Sequence, residues 1–76
     1  MRDRFTASGT VVFSELEGGF FGIVSEGGER YDPLNLDDEF RIDGLRIRFE
    51  AELIRDRGSI HMWGRLVEIL EVERID

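Results

Sequence analysis

Seventy-six residues leave room for one domain, residues 1–76. A chain of this size buries only about 60% of the surface its unfolded form exposes, so a deep substrate cavity is not expected. The absence of cysteine excludes disulfide staples and thiolate metal sites and suits a reducing compartment. Seventeen acidic side chains against ten arginines and no lysine give a net charge of −7, which disfavours nucleic acid as the default partner without excluding it, because an acidic chain is repelled by phosphate backbones.

In chain order, Phe5, Ala7, Gly9, Val11 and Phe13 alternate with Thr6, Ser8, Thr10, Val12 and Ser14, the period of a strand with one face inward. Gly9 inside that run marks a bulge or sharp bend, as expected where one strand serves both halves of a small barrel. Glu17-Gly18-Gly19 closes a turn, Phe20–Ser25 forms a second strand, and Glu26-Gly27-Gly28 makes a second turn, because paired glycines accept the positive φ of tight hairpins. Residues 29–32 form a short third strand. Pro33 then interrupts the ladder, and Asn35 is placed to cap a brief helix over Leu36-Asp37-Asp38-Glu39-Phe40 that ends by Arg41. Leu36 and Phe40 would share one helical face and plug an open barrel end.

After Asp43-Gly44, the residues Leu45, Ile47, Phe49, Ala51 and Leu53 alternate with Arg46, Arg48, Glu50 and Glu52, the cleanest strand of the chain. Arg55-Asp56-Arg57-Gly58 is a turn, and a fifth strand begins at Ser59. Ile60 and Met62 can point inward together with Val67 and Ile69 only if one extra residue intervenes, and Gly64 is the expected bulge. The tail from Glu71 continues as an edge strand. Three strands, a helix and two strands are the layout of an all-β, five-stranded barrel like that of the oligonucleotide/oligosaccharide-binding (OB) fold, with one short helix between strands 3 and 4.

Three strings, Tyr31-Asp32-Pro33-Leu34-Asn35-Leu36, Asp43-Gly44-Leu45-Arg46-Ile47-Arg48-Phe49 and Ser59-Ile60-His61-Met62-Trp63-Gly64, together resemble a family of small, largely uncharacterised prokaryotic proteins and lipoprotein domains. Gly18-Gly19-Phe20-Phe21-Gly22-Ile23 and Val67-Glu68-Ile69 extend the resemblance over most of the chain. It implies a compact OB-like barrel and carries no established activity and no catalytic residues. Relatives with lipoprotein signals differ at the start. Here Met1-Arg2-Asp3-Arg4 is not followed by the apolar stretch of a signal peptide, and no run approaches the roughly 18 apolar residues of a membrane span, so a cytoplasmic, soluble chain with no membrane partner is expected.

Two groups of side chains bear chemistry. In a barrel of this kind strands 2 and 3 and the loop between strands 4 and 5 line the ligand surface, which nominates Tyr31, Arg55, Arg57, His61, Trp63 and Arg65, with Phe20 or Phe21 as further aromatic platforms. Against this, a small core needs its rings, and Phe21 is assigned there. Asp32, Asn35, Asp37, Asp38 and Glu39 supply oxygens suited to calcium, but without EF-hand spacing, and a helix cap with dipole complementation accounts for Asn35 and Asp37.

A lone histidine lacks the partner a catalytic constellation needs, and the Gly-Gly pairs are hairpin turns, not phosphate loops. The reading is therefore a non-enzymatic, cofactor-free binding module that holds a protein segment or small ligand. Single-stranded nucleic-acid binding is the alternative, and weak calcium binding a further one.

Overall fold

The computed structural model describes residues 3–56 and 63–75. Its strands are β1 (Arg4–Ser14), β2 (Phe20–Ser25), β3 (Arg30–Pro33), β4 (Arg46–Leu53) and β5 (Arg65–Arg74). They close into a barrel in the order β1-β2-β3-β5-β4, with β4 returning to β1. All pairings are antiparallel except β3 with β5.

β1 holds the barrel together because it works on two sides. Arg4 through Thr10 pair with β4, whereas Gly9 through Ser14 pair with β2. Gly9 belongs to both ladders, and a Cβ there would lie 2.5 Å from the Val24 carbonyl oxygen. Only glycine permits so close a backbone approach at the bend. Beyond Thr10 the ladder to β4 ends in a turn over β1, in which the Gly44 N–H donates to the Val11 carbonyl (2.7 Å) and the Phe13 N–H to the Asp43 carboxylate (2.8 Å).

The alternation in β4 is realised through its centre: Ile47, Phe49 and Ala51 are buried while Arg46 and Arg48 are exposed, and Glu50, Glu52 and Leu53 are half-buried. Ile47, Phe49 and Ala51 meet Val11, Ile23, Val67 and Ile69 in the core, which Leu36 and Phe40 also join. At an area coefficient of roughly 25 cal/mol/Å², the largest of these, Phe49, contributes about 2–3 kcal/mol by burial alone. The outer face of β1, β4 and β5 carries paired charges, Arg48 with Glu73 (3.1 Å), Arg46 with Glu26 (3.0 Å) and Arg4 with Glu50 and Glu52. The exposed pairs Arg48–Glu73 and Arg46–Glu26 contribute little to stability.

Two expectations change. The segment after Pro33 forms only a 3-10 turn, Asp38–Phe40, and Asn35 does not cap it. The Asn35 amide instead spans the backbone of β5, accepting from the Ile69 N–H (2.7 Å) and donating to the Ile69 carbonyl (2.9 Å). Five residues are too few to offset the cost of nucleating a helix, and a side-chain amide that mimics a strand's backbone offers a better use of Asn35. Pro33, secondly, is the last residue of β3 and does not lie beyond it: it has no partner in β2 but stands opposite Val67 of β5, and the Leu34 N–H donates to the Val67 carbonyl.

β5 carries a bulge of its own beyond Val67 and Ile69. Glu71 faces Glu50 and Ile69 faces Ala51, so Leu70 is the extra residue. The inward series is Val67, Ile69 and then Val72, with Leu70 turned out at 37% exposure. At Gly64 a Cβ would lie 2.7 Å from the Arg30 carbonyl group. The expected inward positions Ile60 and Met62 lie outside the described residues.

Candidate functional site

The outer face of β2 and β3 carries an aromatic group built around Trp63. The side chains of Phe21, Ile23 and Ser25 turn inward, which leaves Phe20, Gly22 and Val24 outward, as the two-residue period of a strand requires. Trp63, partly exposed, lies on the outer face at Gly22, where a Cβ would come within 2.7 Å of Cη2 and 3.0 Å of Cε3. Phe20 meets the indole edge-on at 5.6 Å between ring centroids, and the Arg30 guanidinium carbon sits 5.4 Å from the indole centroid. Arg30 and Gly22 were not singled out in the sequence. The isolated glycine inside an apolar strand was the available signal, because such a residue marks a close approach.

Next to this group, and sharing Phe20 with it, is an open cleft of about 360 Å³ between the β1–β2 turn and the chain that follows β3. Phe13, Gly19 and Phe21 form one side, Pro33 and Leu34 the other, and Leu36 and Asp32 lie deeper. Gly18 and Gly19 both have positive φ (85° and 100°), the conformation that lets the turn fold back tightly. Gly19 has a second function, since a Cβ would meet the Phe13 ring at 3.0 Å. Phe13 also packs on Phe21 at 5.2 Å and yet remains 48% exposed, as does Leu34 across the cleft. Arg41 at the rim is turned back on its own segment, with Nε donating to the Leu36 carbonyl (2.9 Å) and Nη1 3.3 Å from Asp38.

Of the nominated residues, Tyr31, Arg55, Trp63 and Arg65 are among those described, and they serve different purposes. Tyr31 is 7% exposed, with its ring against Phe5 (5.0 Å) and Phe49 (6.0 Å), so it belongs to the core and offers no stacking face. Its hydroxyl donates to Glu29 (2.9 Å); burial first, then that bond, push the phenol above its usual value, while Arg65 acts in the opposite direction. Arg65 stands opposite Tyr31 in the β3–β5 ladder, and the cation over Trp63 is Arg30. Arg55 is bonded to Asp3 and holds that carboxyl below its usual range. Arg57 and His61 lie outside the described residues.

The acidic cluster does not form a cage. Among the described residues no three acidic or histidine side chains are placed to hold a metal ion. Asn35 is spent on Ile69, and Asp38 faces Arg41, whereas Asp32 is buried in the cleft wall. Among the described residues no helix is long and apolar enough to cross a membrane. No protein family, curated protein or solved structure matches the chain.

Proposed function

We propose that the chain is a non-enzymatic binding module of the OB type that holds a protein segment in the cleft between the β1–β2 turn and Leu34. The strand order β1-β2-β3-β5-β4 and the parallel β3–β5 pair support the OB assignment, and the ligand surface of that fold runs over strands 2 and 3. One observation carries the reading. Phe13 and Leu34, each 48% exposed, face a common cleft in which glycine and aromatic contacts hold the walls in place. Large apolar side chains kept half exposed on a preformed concavity are characteristic of an interaction surface. The cysteine-free composition supports a cytoplasmic setting.

Single-stranded nucleic acid fits this surface less well. Of the nominated arginines that are described, Arg55 is tied to Asp3 and Arg65 stands opposite Tyr31, and the cation on Trp63 among the described residues is Arg30. A photo-cross-linking residue at Leu34, compared in cells with one at Leu70 on β5, tests the proposal. A discrete protein segment captured from Leu34 and not from Leu70 is expected. Capture of nucleic acid from Leu34 would favour the alternative, and identical patterns from both positions would overturn the cleft as the binding surface.

A further inference from the structure

We infer that the segment the cleft takes is cationic, with one large apolar side chain flanked by lysine or arginine. The inference rests on the cleft being the ligand surface, and adds the chemistry of the occupant.

The cavity sets the apolar part. At about 360 Å³ it lies at the small end of the roughly 300–1,000 Å³ typical of ligand pockets. Its walls are Phe13, Phe20, Phe21, Pro33 and Leu34. Such a space accommodates a single aromatic or long aliphatic side chain with its backbone left at the rim.

Charge sets the rest. The segment that follows Leu36 exposes Asp37 and Glu39 beside the Arg41-paired Asp38, with the Arg74 guanidinium donating to the Glu39 carbonyl (3.3 Å), and the turn on the other side begins with exposed Glu15. The basic residue of the lining is Arg41, whose guanidinium is already engaged by Asp38 and the Leu36 carbonyl. With −7 on the whole chain, a cation is drawn to this mouth and an anion repelled. A second copy of the chain brings the same −7 and is a poor occupant, as are an acidic peptide and a phosphate backbone. In such an arrangement the buried apolar anchor supplies most of the affinity, while the flanking charges set approach and selectivity.

Panning a phage-displayed library of short random peptides tests this, with the native chain and the Phe13→Ser/Leu34→Ser variant as parallel baits. Both substituted side chains are half exposed, so the variant keeps the core, and its charge is unchanged. The clones that depend on the native cleft are expected to carry a large apolar residue flanked by lysine or arginine. A synthetic peptide from them should bind roughly fivefold more weakly to Asp37→Asn/Glu39→Gln, which leaves the Arg41–Asp38 pair intact. Cleft-dependent clones without basic flanks, or a peptide indifferent to that variant, would overturn the charge preference and leave the cleft reading standing. Clones that bind both baits equally, or no enrichment at all, would remove the cleft reading itself.

Discussion

Gly22→Ala tests whether Trp63 is docked on the barrel. Gly22 is not among the positive-φ glycines, so the backbone accepts alanine and the effect comes from the ring above it. The new methyl would lie 2.7 Å from Cη2 and 3.0 Å from Cε3 of Trp63, with Cζ3 closer still, so the indole must leave. Leaving forfeits the contact with Arg30, about 0.5–1 kcal/mol at an exposed site, and the edge-on contact with Phe20, about 0.5–1.5 kcal/mol. Replacing a strand glycine returns roughly 0.5–1 kcal/mol of backbone entropy. With the lost packing on Gly22 added, the variant should be destabilised by about 1–2 kcal/mol, a considerable fraction for a small domain. Trp63 is the sole tryptophan, so its emission should shift to the red and become more open to acrylamide quenching, and a urea melt gives the stability. In a Trp63→Ala background the same substitution should be neutral or stabilising, which makes the double-mutant cycle the decisive form of the assay. Unchanged emission together with unchanged or increased stability in Gly22→Ala would refute the docking.

Other consequences are open to simpler measurements. Phe49→Ala removes a ring that is 1% exposed and should cost about 3–5 kcal/mol in a chemical melt, whereas a loss below about 1 kcal/mol would contradict the inward phase of β4. Asn35→Ala leaves both backbone groups of Ile69 without their partner and should cost about 1–3 kcal/mol, with Asn35→Asp intermediate because it keeps an acceptor. Tyr31, the sole tyrosine, should ionise later in the folded chain than in the unfolded one. Its folded pKa lies above the ordinary 10.0, so the stability linked to it is complete below that pH and lost as pH rises through the folded value. A folded phenol that titrates at or below 10.0 by absorbance would contradict its burial.

The parts of the fold that were legible in the sequence are those in which one face of an element sees one environment. β4 alternates because over Arg46–Ala51 one face packs in the core and the other carries the charged side chains, and Gly9 and the Gly-Gly turns report local backbone demands. What was not legible depends on partners distant in sequence. The i,i+4 spacing of Leu36 and Phe40 suits a helix, but both side chains reach the core from an irregular segment because Asn35 is anchored 34 residues away on Ile69. Val67, Ile69 and Val72 carry a bulge in their own spacing, which places it at Leu70. Tyr31 shows the limit for the site: an aromatic on a short strand does not announce its face, and a slip of one residue reverses it. Trp63 was recognised by type, but its partners Gly22 and Arg30 are joined to it only by the register of β2 with β3.

Amide shift mapping of the isotopically labelled chain with the segment captured at Leu34 measures directly where a bound segment sits. Saturable shifts are predicted at Phe13, Gly19, Phe20, Leu34 and Arg41, with the Trp63 indole N–H responding through Phe20. Shifts centred instead on Arg48, Glu50, Glu71 and Glu73 of the paired-charge face, with the cleft silent, would contradict it.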